Sequence, residues 1–120
     1  MSQAAVITIR QADLPFRPVD GDGAHGLSLA RLYQNPDHFT FQLAQIDPGG
    51  ISKRHQHPWE QVNWVVAGQG QVEAGDADDG DVIPFRTGDC LIIPGGVAHA
   101  IANTGDVPLL LVAALGPGAA

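Results

Sequence analysis

Apolar and polar residues alternate over short runs along most of this chain, and no stretch pairs a helical repeat with capping residues. The clearest alternation runs from Glu60 to Ala67, where Gln61, Asn63 and Val65 share one face and Val62, Trp64 and Val66 the other. Short β-branched or alternating runs predict further strands at Val6–Ile9, Leu27–Tyr33, Phe39–Ile46 and Ser52–His57. The same reading predicts strands at Gly70–Ala74, Val82–Arg86, Leu91–Ile93 and from His99 to Asn103. Leu109–Leu115 is a continuous apolar run, expected as a fully buried strand. Pro15, Pro18 and Gly21-Asp22-Gly23 mark residues 11–26 as loop. Asn35-Pro36-Asp37 and Asp47-Pro48-Gly49-Gly50 are turn signals, and Gly116-Pro117-Gly118 begins an expected frayed tail. Roughly nine or ten short strands joined by close turns predict an all-β sandwich or barrel.

Size and composition keep that picture and narrow the partners. At 120 residues the chain is expected to be one domain, residues 1–120. Its hydrophobic fraction of 44% against 16% charged residues suits a globule with a generous core. The net charge of -7, with no Lys/Arg run, argues against nucleic acid and anionic membrane as partners. A single cysteine, Cys90, cannot form an internal disulfide, which is compatible with a reducing cytoplasm. No signal-peptide pattern or membrane-length apolar run is visible, so a cytoplasmic location is expected.

Candidate chemistry lies at Gly49–Gly68. His55 and His57 are one residue apart, so on an extended chain they point the same way. Gln61 lies four positions after His57 and could join them across the bend at Pro58. Two neutral imidazoles facing one space are a common start for a divalent-metal site. A second cluster follows, with Gly88, Pro94, Gly96, His99 and Asn103.

These residues carry a resemblance to the cupin family. Its second motif is Gly, five residues, Pro, one residue, Gly, two residues, His, three residues, Asn; Gly88, Pro94, Gly96, His99 and Asn103 match throughout. Its first motif, at 49–68, is matched by Gly49, His55, His57 and Gly68, with Gln61 where the family carries Glu. Glu60 is one place early and is expected to face outward. Some cupins with a similar His-Pro-aromatic-Glu-Gln run use Gln or His at that ligand position. The resemblance implies a double-stranded β-helix, or jelly roll. It also implies that His55, His57, Gln61 and His99 converge on one divalent transition metal: Fe, Mn, Ni, Zn or Cu.

Other conspicuous residues have simpler readings. His25 and His38 sit beside turns and are expected to be solvated. Trp59 and Trp64 are expected to pack, and Cys90 to be a small buried hydrophobe. Asp76-Ala77-Asp78-Asp79-Gly80-Asp81 lacks the spacing of a calcium loop and reads as a solvated hairpin turn.

Three His and one Gln carry no negative charge, so they favour an anionic, chelating small-molecule substrate. A metal-dependent dioxygenase of the quercetinase-like kind is the first expectation. A lyase or isomerase similar to cupins that open unsaturated uronate sugars is the second. A non-catalytic small-ligand-binding cupin is the third. The apolar Val62-Trp64-Val66 face suggests a homodimer.

Overall fold

The computed structural model describes residues 5–76 and 80–119. Asp78 and Asp79 of the acidic loop lie outside the described residues. The strands are β1 (Arg17–Gly21), β2 (Ala24–Asn35), β3 (Phe39–Ile51), β4 (Gln61–Ala67), β5 (Gln69–Ala74), β6 (Asp81–Arg86), β7 (Cys90–Ile93), β8 (His99–Asn103) and β9 (Leu109–Leu115). A single 3-10 turn at Gln11–Asp13 precedes them. The fold is all-β, as the alternation predicts, and a jelly-roll barrel of antiparallel strands, as the resemblance implies. No helix among the described residues is long and apolar enough to cross a membrane.

The strand order is β6-β5-β8-β3-β9-β4-β7, with β2 on β3 and β1 on β2. β3 links the two walls of the barrel. Its first part pairs with β2 and β9, and Ile51 at its end pairs with Ala102 of β8. The crossing is made at 47–50, which reads as a turn in the sequence but forms a bulge within β3. His25 faces Ile51 while Leu27 faces Ile46, so the extra residues stand out of the ladder. Gly49 there has φ 78, a value that favours glycine.

Inward side chains from both walls form the core: Leu27, Ala44, Ile46, Val65, Val72, Phe85, Leu91, Ile101, Leu109 and Leu111. In β4 the burial alternates as expected, with Gln61, Asn63 and Val65 inside and Val62, Trp64 and Val66 outside. β9 is less enclosed than its apolar run suggests: Leu109, Leu111 and Ala113 are buried, while the alternate residues are half-buried.

Four expectations are corrected. Val6–Ile9 forms no strand, because its β-branched residues find no sheet edge within the chain; Val6 is 92% exposed. Residues 11–26 are not all loop: β1 and the start of β2 lie there, paired across the Gly21-Asp22-Gly23 turn. The tail is tied down rather than frayed, for Gly118 N–H donates to Pro36 O at 2.7 Å and Ala119 is buried. Cys90 is exposed, since strand parity puts Leu91 inside and its neighbour outside.

Candidate metal centre

The segment bearing His55 and His57 is not a regular strand, contrary to the alternation. Pro58 offers no N–H, and the run before it is too polar to bury. Two short ties to β8 hold it in place. Ser52 N–H donates to Ile101 O at 2.8 Å, and Ile101 N–H donates to Ser52 Oγ at 2.8 Å. His55 and His99 exchange both backbone hydrogen bonds, at 3.1 and 2.9 Å, as an isolated antiparallel bridge. That bridge sets the two imidazoles against each other across the barrel mouth, with ring centroids 4.6 Å apart. The His57 ring lies 5.1 Å from His99 and 5.2 Å from His55. One ligand atom from each of the three lies within 4.8 Å of the others.

Each Nδ1 is claimed by a backbone carbonyl: His55 by Lys53 O at 2.7 Å, His57 by Trp59 O at 2.9 Å, His99 by Val97 O at 2.9 Å. A carbonyl only accepts, so each Nδ1 carries the proton and each neutral ring presents a bare Nε2. This is the outer support that metal-binding imidazoles require. Nε2 of His99 is buried with no partner among the described residues. Burial lowers the pKa of His99 below its ordinary 6.5, and the neighbouring His55 and His57 push the same way; the Val97 carbonyl opposes them. The ring therefore stays neutral, with its lone pair available.

Gln61 completes the cluster. Its Oε1 lies 3.2 Å from His57 Nε2, while its Nε2 donates to Asn63 Oδ1 at 2.9 Å. With His57 protonated at Nδ1, two lone pairs face each other across that 3.2 Å gap. They repel unless a positive charge lies close to both. Together with the orphaned His99 nitrogen, this donor set fits a divalent ion. Glu60 is exposed and points away, as strand parity requires.

The cluster opens into a cavity of about 410 Å³ between the walls. Its floor is apolar, from Leu27, Leu29, Ala44, Ile46, Ile101 and Leu111, and it is lined by no Asp or Glu among the described residues. The amide of Asn63 was identified in sequence only as a face-mate of Gln61; the structure makes it the group that aims Gln61. Shared strand parity was the available signal. Trp59, expected to pack, does so on the site itself. Its ring stacks on His57 at 4.8 Å and 8°. Trp64 is 52% exposed and lies far from this role, on the outer face. His25 and His38 are exposed, as expected.

Comparison with known proteins agrees with the geometry. A family model described as a cupin domain matches residues 42–115. Protein SchB of Streptomyces halstedii is 41% identical over 76 residues, covering 62% of this chain and 52% of that protein. Polyketide synthase CurC of Streptomyces cyaneus is 34% identical over 76 residues, covering 62% of this chain and 47% of that protein. The chain thus spans about half the length of these curated relatives. Among solved structures, a predicted oxalate decarboxylase from Thermotoga maritima superposes with a TM-score of 0.81 at 20% identity, over 92% of this chain and 99% of that one.

Proposed function

Because this chain belongs to the cupin domain family, we propose that it is a metal-dependent enzyme acting on a small, oxygenated, anionic molecule that chelates the metal. The observation that carries this reading is the grouping of His55, His57 and His99, one ligand atom of each within 4.8 Å of the others, with the Gln61 carbonyl 3.2 Å from His57, in a cavity lined by no Asp or Glu among the described residues. His55, His57, His99 and Gln61 would hold the ion. A divalent transition metal supplies Lewis acidity or an oxygen-binding centre when bound. Four neutral donors leave its charge uncompensated, so an enolate, phenolate or hydroxy acid is favoured in the remaining positions.

The chain's own residues bind and shelter that molecule. The apolar floor excludes water and packs a flat carbon skeleton. Ser52 is committed to the backbone of Ile101, and Lys53 lies 3.4 Å from Asp22, so neither is poised as a proton acceptor. A cavity poor in free acid–base groups suits an oxygen-dependent reaction, for which the ion held by His55, His57, Gln61 and His99 would supply the chemistry. Dioxygenase chemistry is therefore the first reading. The likeness to a polyketide synthase over 76 residues favours a second, in which a poly-β-carbonyl chain is enolised and rearranged without O₂.

Metal analysis of the native protein followed by oxygen-electrode measurements tests both. Oxygen uptake with a flavonol or a phenolic β-diketone, lost in His99→Ala, supports the dioxygenase. Turnover under strict anaerobiosis excludes it and leaves the second reading. Native protein with no divalent metal, and none taken up on loading, removes the whole proposal.

A further inference from the structure

One ring of the cavity wall carries a polar group that the metal centre does not use. Strand registers place Asn63 opposite Ala113, Ala113 opposite Gln42, and Gln42 opposite Arg31, so the four residues form a row across β4, β9, β3 and β2. All four line the cavity. The row beneath it is Val65, Leu111, Ala44 and Leu29, wholly apolar. Asn63, at one end, holds Gln61 and so belongs to the metal centre. Arg31 and Gln42, at the other, have no such task.

Gln42 is left unsatisfied, and Arg31 has no anionic partner among the described residues. Gln42 Oε1 is buried and accepts no hydrogen bond. Arg31 makes no ion pair among the described residues, whereas Lys53 pairs with Asp22 and Arg54 donates to Gly75 O. Leaving a buried acceptor unpaired is costly, and a ligand hydroxyl would recover that cost. Arg31 is an exposed residue that lines the cavity, and its guanidinium offers a planar fork matched to a carboxylate. The irregular register between Arg31 and Tyr33 is a bulge of the sort that re-aims a side chain next to a site. Ala113 between the polar ends leaves room for a flat skeleton to cross.

We propose that Arg31 and Gln42 form a second recognition point, which binds a carboxylate or equivalent acidic group, and its neighbouring hydroxyl, on the far end of the substrate. The proposal rests on the functional reading above and deepens it. Two strand spacings separate Asn63 from Gln42, on the order of 10 Å. The substrate class is then a fused-ring or similarly long oxygenated molecule with a chelating edge at one end and an acid at the other. Arg31 sets specificity; it takes no part in the bond changes.

The test compares two probes that differ only in the remote group: 2,3-dihydroxynaphthalene and 6,7-dihydroxynaphthalene-2-carboxylate. Titration calorimetry on zinc-loaded protein reads the margin between them. The expected result is that wild type binds the carboxylate about tenfold to a hundredfold more tightly. Arg31→Ala loses that margin while keeping its metal content and its affinity for the parent diol. Arg31→Lys restores part of it. Equal affinities in wild type, or equal weakening of both probes in Arg31→Ala, would overturn the proposal. Protein that takes up no zinc defeats the functional reading instead; a carboxylate margin that still depends on Arg31 in that metal-free protein keeps the subsite. Binding of neither probe in either form overturns the subsite as well.

Discussion

At the scale of single residues, the site depends on how few atoms are left to choose their own partners. Asn63 takes one end of the Gln61 amide, so the other end must face His57. Asn63→Ala frees that amide to turn. Metal affinity, read by competition with a chromophoric chelator, is expected to fall about 10–100-fold, the usual effect of removing a group that orients a ligand. Gln61→Ala is expected to fall at least as far, and Glu60→Ala not at all; the reverse order would give the ligand position to Glu60. The sequence singled out His55, His57, Gln61 and His99 because motif spacing is local, although the strand parity invoked for His55 and His57 does not hold, their segment being no regular strand. It could not show that each Nδ1 meets a carbonyl two residues away, since that depends on the local backbone turn and ring rotamer at each His, which spacing does not reveal.

His99 also gives the metal-free protein a pH dependence. Its folded pKa lies below 6.5, chiefly because burial disfavours the charged ring. Above 6.5 the ring is neutral in the folded and unfolded chain alike. As the pH falls through 6.5 the unfolded chain takes up a proton that the folded chain refuses, so stability drops until the lowered pKa is reached. Urea unfolding of metal-free protein at about pH 7.5 and about pH 5 should show this loss, and His99→Gln should flatten it. An unchanged slope in His99→Gln would assign the acid sensitivity to other groups.

At the scale of elements, the same motif residues act as girders. Asn103 closes the second motif and is buried, yet it is not part of the imidazole cluster. Its Nδ2 donates to Ile46 O and Val107 O, each at 2.8 Å, and its Oδ1 accepts from Gly105 N–H at 2.8 Å. One side chain thus ties β3 to the turn between β8 and β9. Asn103→Ala should cost about 1–3 kcal/mol in chemical unfolding, with one buried and two part-buried backbone groups left short of a partner. A loss under about 0.5 kcal/mol would mean that water replaces those bonds freely. Strands with strong alternation, such as β4 and β8, were legible from their own residues. β1 and the start of β2 were not, because proline and glycine punctuate them and only pairing makes them strands. The segment at 52–57 failed the other way: it alternates, yet its backbone finds β8 only through Ser52 and His55.

At the scale of the whole molecule, the outer face of the larger wall is left without cover. Ile92, Val62, Ala114, Phe41 and Tyr33 stand in one row across β7, β4, β9, β3 and β2. Cys90, Trp64, Val112 and Leu43 form the row beside it. Ile92 is 69% exposed and Trp64 52%. A contiguous apolar face of this kind is rare on a monomer. Val6 and Ile7 are a separate exposed apolar feature, 92% and 85% exposed and in no strand. A second copy related by a two-fold axis would cover the sheet face, since each chain supplies the same face. The net charge of -7 opposes close approach of two copies, so the contact has to be apolar rather than electrostatic. Light scattering is therefore expected to give twice the chain mass, with little dependence on salt. Trp64→Glu places a charge at the centre of the face and should yield a monomer that still takes up metal, because the inner side of β4 is untouched. A wild-type protein that stays monomeric at high concentration would leave the face to some other partner.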